Sequence, residues 1–253
     1  MSENVKEAQR LLRKEAKKLA RQLEDNRSRA RAPIVRQLHE IQQMLSPLYA
    51  YTSQAGQDRV VDTMTKAMRG GTFVDVGGYD GVTGSNTFYL ETHRGWTGAL
   101  VEPVSTQIEK ARTVRRCPCF EVAIALDEGE AEFVEITEGY TQMSGLVDSY
   151  DKTLLQRVRS DKRHKENLIT VKTMTLSALL DHVDIPNPDF ISLDIEGGEM
   201  ACLQSFPFER HDVKIWAIEN NRGTPEIKQL MDQKGYDLVE FCGPDEMYFK
   251  RLP

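Results

Sequence analysis

A chain of 253 residues, 40% of them hydrophobic and with a net charge of −6, has the material for one large domain or one domain with an appendage. No apolar run approaches the ~18 residues of a membrane span, and the charge disfavours a general nucleic-acid binder, which needs clustered Lys and Arg for phosphate contacts. The N-terminus lacks the apolar segment of a secretory signal, and the four cysteines complete neither a redox pair nor a zinc site, so reduced thiols in a cytoplasmic protein are expected.

The first 45 residues hold eleven Lys/Arg against six Asp/Glu, which leaves −11 for the remainder. Val5, Ala8, Leu12, Ala16, Leu19 and Leu23 recur at helical steps and predict one amphipathic helix over 4–30. Pro33 suits the first turn of a second helix, whose stripe of Ile34, Leu38, Ile41 and Leu45 runs to Pro47. Such a stripe must be covered by the main domain or by a copy of itself. Residues 1–48 therefore read as a helical extension and as a route to a homo-oligomer, with a basic face that is a solvated helix surface. From residue 49 to 253 the character changes to a single domain. A polar loop, Ser53-Gln54-Ala55-Gly56-Gln57-Asp58, leads into a helix over 59–68, either as a flap over a ligand or as a capping cluster.

Strands and helices then alternate. Strands are expected at 73–76, 98–102, 119–125, 131–137, 168–173, 189–195 and 213–219, with helices at 84–93, 104–115, 176–183, 198–204 and 225–234. Residues 138–166 read as an insertion, with a helix near 150–160, that serves as a lid, an acceptor wall or surface decoration. The segments 236–241 and 246–251 close the chain as a hairpin. This is the α/β pattern of a doubly wound, mostly parallel sheet with a C-terminal antiparallel hairpin.

The first of these strands ends in Asp75-Val76-Gly77-Gly78-Tyr79-Asp80-Gly81. Glycines directly after a buried strand let the backbone turn and let a ligand approach without a Cβ in the way. About twenty residues on, the next strand ends in Glu102, placed to accept hydrogen bonds from a ribose diol. Asp75, Glu102, Asp194 and Glu219 all fall at strand C-termini, where open α/β sheets bind ligands. A pyrophosphate is a poor match for so acidic an edge, and the spacing is not G-x-G-x-x-G. S-adenosylmethionine (SAM) suits it better, having no phosphate, a sulfonium, an ammonium and a ribose diol.

Asp75-x-Gly77-x-Tyr79-x-Gly81 resembles the first motif of class I SAM-dependent methyltransferases, with Tyr79 in place of the middle glycine. Ala99-Leu100-Val101-Glu102-Pro103, Val122-Ala123-Ile124-Ala125, Met174-Thr175-Leu176-Ser177-Ala178-Leu179-Leu180 and the block from Asp189 to Glu199 resemble the FkbM family of methyltransferases over roughly residues 50–250. The resemblance implies a Rossmann-like methyltransferase fold. It implies Asp75, Gly77, Gly78, Tyr79 and Gly81 around the methionine end, Glu102 on the ribose and Ala123 beside adenine, with Gln57 and Asp58 from the preceding loop. It also implies O-methylation of a sugar or other polyhydroxylated small molecule or glycan. An N-methyltransferase, a silent SAM-binding assembly module and a metal-dependent glycosyltransferase are the alternatives.

Asp194-Ile195-Glu196 places two carboxylates on one face of a strand end, and an apolar strand does not end in a buried carboxylate without a task or a partner. Three roles remain open from sequence. Asp194 and Glu196 could act as the catalytic base, bind a divalent ion with Glu219, or hold a polar network around the cofactor. No histidine adjoins them, so no transition-metal site is expected.

Overall fold

The computed structural model describes residues 2–252. In chain order its elements are α1 (Glu3–Asp25), α2 (Arg31–Leu45), α3 (Gln57–Met64), β1 (Thr72–Val76), α4 (Phe88–Arg94), β2 (Thr97–Val101), α5 (Ser105–Val114), β3 (Cys119–Phe120), β4 (Ala123–Ile124), β5 (Gly129–Glu138) and β6 (Gly145–Leu146). There follow α6 (Lys152–Arg159), β7 (Lys165–Met174), α7 (Leu176–His182), β8 (Phe190–Leu193), α8 (Glu199–Ser205), β9 (Ile215–Glu219), α9 (Glu226–Gln233), β10 (Tyr236–Cys242) and β11 (Asp245–Lys250).

Seven strands form the main sheet in the order β10-β11-β9-β8-β1-β2-β3. β3, β2, β1, β8 and β9 are parallel, and the hairpin β10–β11 adds its antiparallel edge through β9. The strand order reverses between β1 and β8, so the crossovers on either side of that pair diverge and leave a crevice beyond their C-terminal ends. The expected doubly wound architecture is the one observed.

Alternation along each strand sorts the core onto two faces. Val74, Val76, Val101, Ile191, Leu193, Trp216 and Ile218 pack with α7, α8 and α9 on one face. Phe73, Leu100, Ile108, Phe190, Ile215 and Met247 pack on the other with α3, α4 and α5. Asp75 shares the parity of Phe73, Glu219 that of Ile215, and Asp245 that of Met247, with Asp245 opposite Glu219 in the ladder. The polar ends of these strands therefore arrive on one side of the crevice, on top of an apolar layer.

The expected strand 119–125 is broken. β3 pairs with β2 in the main sheet, whereas β4 pairs with β7 in a second sheet of order β4-β7-β5-β6. Exposed Glu121 lies at the break. The segments 131–137 and 168–173 also leave the main sheet. They belong to β5 and β7, a long antiparallel ribbon from Gly129 opposite Thr173 to Glu138 opposite Lys165. β5 is buried on both faces at its middle, Phe133 with Val104, Ala123 and Val171, and Val134 and Ile136 with Tyr150, Leu154 and Val158, whereas β7 buries Val171 and Thr173 on one face. The insertion between them carries α6 and brings Thr141, Gln142, Ser144 and Leu146 over the crevice.

Two helices are shorter than their periodicity suggested. α3 stops at Met64 because Lys66 and Ala67 adopt left-handed backbone angles. α4 starts only at Phe88 because Ser85 and Thr87 are engaged with Asp75. At the N-terminus the apolar stripe divides into an antiparallel pair, α1 against α2, with Ala16, Leu19 and Ile41 buried between Leu12, Ile34, Leu38 and Leu45. The middle of the stripe is thus covered within the chain. Arg31 fixes the pair to the sheet edge: its guanidinium meets both oxygens of Glu240 on β10 at 2.6 and 2.7 Å and also donates to the carbonyls of Leu23 and Asn26.

Leu100 joins core to crevice. It is fully buried and its isobutyl group lies directly under Gly78. Leu100→Ala is expected to lower unfolding free energy by ~2–5 kcal/mol, the range for a truncated core leucine, measured by urea denaturation. A loss below about 1 kcal/mol would show that this layer is not tightly packed.

Candidate functional site

The turn after β1 is built for close approach. Gly77 and Gly78 both donate their amides to the carbonyl of Val101, at 3.0 Å each, which folds the turn back over β2. A Cβ on Gly77 would lie 1.9 Å from the carbonyl oxygen of Asp194, and one on Gly78 would lie 2.4 Å from Leu100. Gly77 also has a φ of +81°, a region closed to most side chains. The floor of the crevice is bare backbone because no side chain fits there.

Asp75 ends β1 beneath this turn, buried among donors. Its Oδ2 accepts from Thr87 Oγ1 at 2.6 Å and Ser85 Oγ at 3.1 Å, and faces Arg115 Nη1 at 3.5 Å. Arg115 has no solvent exposure. It binds Glu91 Oε2 at 2.7 Å, Thr87 Oγ1 at 2.8 Å and the carbonyl of Gly81 at 3.1 Å, and its guanidinium lies 5.3 Å from the Phe73 ring centre. Gly81 is needed here rather than in the cavity: a Cβ on it would meet Arg115 Cγ at 2.8 Å. The structure places Gly81 against Arg115 and not among the walls of the cavity, and Arg115, for which the sequence offered no signal, is the residue that sets the turn.

Glu102 follows β2. Its Oε1 accepts from the amide of Val104 at 2.9 Å and its Oε2 from the amide of Tyr79 at 3.1 Å, so its carboxyl is fixed at the lip of the cavity. Burial pushes its pKa up to about 7, against the pull of those two amides. Tyr79 sits at φ +48°, and its hydroxyl meets Thr141 Oγ1 at 2.8 Å. That bond ties the motif turn to the insertion. In place of a third glycine, this chain has a strut to its own roof.

Asp75, Gly77, Gly78, Tyr79, Glu102, Ala123, Asp194 and Glu196 all line one cavity, with Phe133 and Leu146 from the second sheet and Thr141, Gln142 and Ser144 from the insertion. Asp58 is not among its walls. Its carboxylate accepts from the amides of Thr52, Ser53 and Arg59 and from the hydroxyl of Ser53, which ties the polar loop to the first turn of α3. Gln57 also stands outside this cavity. It lines a second, adjoining one and donates to Asp245 Oδ2 at 2.9 Å.

The two cavities share Gln54, Gly84, Asn86, Gln142, Asp194 and Glu196. Glu219 and Asp245 border the second. Asp194, Glu196 and Glu219 bring carboxylate oxygens within 4.8 Å of one another. Burial raises the pKa of each well above the usual carboxylate range; neighbouring charge adds to it, from Asp245 and Glu199 at Asp194, from Asp194 at Glu196, and from Asp194 and Glu196 at Glu219. Asp245 is pushed up to about 6 by burial. Glu199 is different: its carboxylate caps the amides of Ile195 and Gly197, the helix-terminus role. The arrangement offers a nucleoside-sized polar lip on one side, a bare backbone floor, and a charge-starved acidic wall facing the second cavity.

A family model described as "Methyltransferase FkbM domain" matches residues 75–238, more than half of the chain. The chain belongs to the FkbM methyltransferase family. It is an SAM-dependent methyltransferase, and the cavity beyond β1 and β2 is where its family motif lies. Among solved structures it is similar to methyltransferase FkbM from Methylobacillus flagellatus, at 13% identity and a TM-score of 0.46, over 85% of this chain and 54% of that one. It is also similar to a TehB-like SAM-dependent methyltransferase from Corynebacterium glutamicum, at 13% identity and a TM-score of 0.40, over 78% of this chain and 88% of that one. A third is a precorrin-6y C5,15-methyltransferase from Geobacter metallireducens, at 10% identity and a TM-score of 0.44, over 79% and 90%. No curated protein sequence matches the methyltransferase. No helix of the described residues is long and apolar enough to cross a membrane.

The raised pKa of Glu102 has a measurable sign. Between an unfolded carboxyl pKa of about 4.3 and the folded value of about 7, the folded chain holds a proton that the unfolded chain has lost. Glu102 therefore lowers stability progressively as pH rises through that window. In thermal melts of the ligand-free protein, Glu102→Gln should gain on the wild type between pH 5 and pH 8. A pH-independent gap between the two would refute the assignment.

Proposed function

We propose that SAM occupies the first cavity and that an acceptor hydroxyl reaches its methyl group from the second, with a sugar, another polyhydroxylated small molecule or a glycan as acceptor. The observation that carries this reading is the shared wall: the two cavities meet at Asp194 and Glu196, and the basic side chains bordering the second, Arg36 and Arg157, are guanidinium groups that stay protonated and offer no base. The donors and acceptors around the second cavity, Gln54, Gln57, Asn86, Gln142 and Asn221, suit several hydroxyls better than an apolar ring.

The residues fit this cofactor on three counts. Gly77 and Gly78 leave backbone room that a Cβ would fill. Glu102 presents a fixed carboxyl for a ribose diol. The wall of Asp194, Glu196 and Glu219 carries no ion pair to Arg36 or Arg157 among the described residues, and a sulfonium and an ammonium would supply positive charge. SAM, when bound, provides a methyl group already activated on sulfur. The chain then has to orient and to take a proton. The acceptor hydroxyl would give up its proton as it took the methyl group, and Asp194 is the group of the chain that would receive it. Positive charge nearby favours the ionised carboxyl, so Asp194, held high in the ligand-free chain, becomes a competent base when the first cavity is occupied. Alignment can contribute ~7–11 kcal/mol and a positioned base typically 10²–10⁴-fold, so alignment is the larger share.

We further propose that residues 1–48 are an appendage to a catalytic domain at 49–253. Arg36 of α2 reaches the rim of the second cavity, which supports a role for the appendage on the acceptor side. Val5 and Leu11 of α1 stay exposed and are the surface we assign to pairing of two copies.

Calorimetry with S-adenosylhomocysteine (SAH), then methyl transfer to a panel of sugars and polyols, tests the function. Binding without turnover on any hydroxyl or amine would leave a silent binding module instead. Asp194→Asn is expected to keep SAH affinity within a few-fold and to lower turnover by about 10²–10⁴; wild-type turnover would remove Asp194 from the chemistry.

A further inference from the structure

The carboxylates of Asp194 and Glu196 face the junction of the two cavities, and Glu219 joins them from the end of the neighbouring strand. Glu219 is 5% exposed, and its Oε2 is buried without a hydrogen-bond partner. A buried, unpartnered carboxylate oxygen is costly and calls for a compensating group. Most basic side chains around the site are engaged elsewhere: Arg222 pairs with Asp151, Arg29 with Glu246, Arg115 with Asp75 and Glu91, and Arg36 with Glu40. Exposed Arg157 borders the second cavity but forms no ion pair with the three carboxylates among the described residues. Among the described residues the side-chain hydrogen bond to the three comes from Asn221 Nδ2, 3.5 Å from Glu196 Oε2.

We propose that Asp194, Glu196 and Glu219 form a binding site for a hard divalent cation of the Mg²⁺, Mn²⁺ or Ca²⁺ class, placed where the acceptor hydroxyl meets the transferred methyl group. Each residue offers one oxygen, and the three lie within 4.8 Å of one another. Ligands at ~2.0–2.6 Å from a common ion are separated by about that much or less. Three carboxylates, with no histidine or cysteine among them, select oxygen-loving ions over zinc or copper. Half-buried Asp194 and buried Glu196 line both cavities, so the positions left open on the ion face the second cavity. Acceptor oxygens would complete its coordination there. A hydroxyl held by the cation is more acidic and is fixed in direction, and the second oxygen of Asp194 remains to receive its proton. The ion's part in transfer rests on the methyltransferase reading; its binding does not. The competing explanation for Glu219 Oε2 is a proton shared with Asp194.

The experiment is a titration of the full-length protein with Mn²⁺ at pH 7.5, followed by electron paramagnetic resonance, with and without SAH. One bound Mn²⁺ per chain, displaced by Mg²⁺ or Ca²⁺, is expected. Glu219→Gln should weaken it at least tenfold, and Glu196→Gln should do the same if Glu219→Gln does not fold. Folding and cofactor binding of the variants are read separately from the thermal upshift with SAH. Mn²⁺ left free by a wild-type protein that binds SAH would overturn the proposal in favour of the shared proton, as would unweakened binding in a folded Glu219→Gln. Absence of an SAH upshift would instead count against the cofactor assignment and leave the Mn²⁺ result to decide the metal site on its own.

Discussion

The buried guanidinium of Arg115 is the contact on which the cofactor end of this molecule depends. A cation with no access to water needs its hydrogen-bonding capacity filled and its charge balanced, and here the partners are Asp75, Glu91, Thr87, Ser85 and the carbonyl of Gly81. Those partners come from the end of β1, the motif turn, the loop before α4 and α4 itself. One side chain thereby fixes the turn, delays the start of α4 and partners Asp75 inside the protein.

Across the crevice the same problem is solved in the opposite way. Asp194, Glu196, Glu219 and Asp245 gather at the ends of β8, β9 and β11 and form no ion pair with their basic neighbours, Arg36 and Arg157, among the described residues, so burial and mutual repulsion raise their pKa values. One acidic edge is thus neutralised from within, and the other is left to be neutralised by what binds. That asymmetry gives the site its polarity: a rigid half around Asp75 and Glu102, and a half whose charge state answers to its occupant. The Tyr79–Thr141 bond crosses between the motif turn and the insertion and closes the roof over both.

Much of the main sheet was legible because its strands are apolar, short and separated by helical periodicity. Asp75, Gly77, Gly78, Glu102, Ala123, Asp194 and Glu196, expected near one another from the motif, the resemblance and their places at strand C-termini, do line one cavity. The departures have local causes. Gly81 and Asp58 stand outside the walls of the first cavity, Gly81 against Arg115 and Asp58 among the amides of Thr52 and Ser53, neighbours that a glycine or a loop carboxylate does not reveal in sequence. The split of 119–125 between two sheets was hidden because a strand's partner is not encoded in its own pattern.

Residue by residue, then, the chain determined its secondary elements, the glycine turn and the supply of carboxylates, because these follow from backbone freedom, side-chain parity and local hydrogen bonding. Only the tertiary structure decided which carboxylates meet a cation and which meet each other. Arg115, forty residues from Asp75, and Glu219, twenty-five from Asp194, are brought to their partners by strand order. Charge interactions depend on distance and burial, and neither quantity exists until the sheet is assembled.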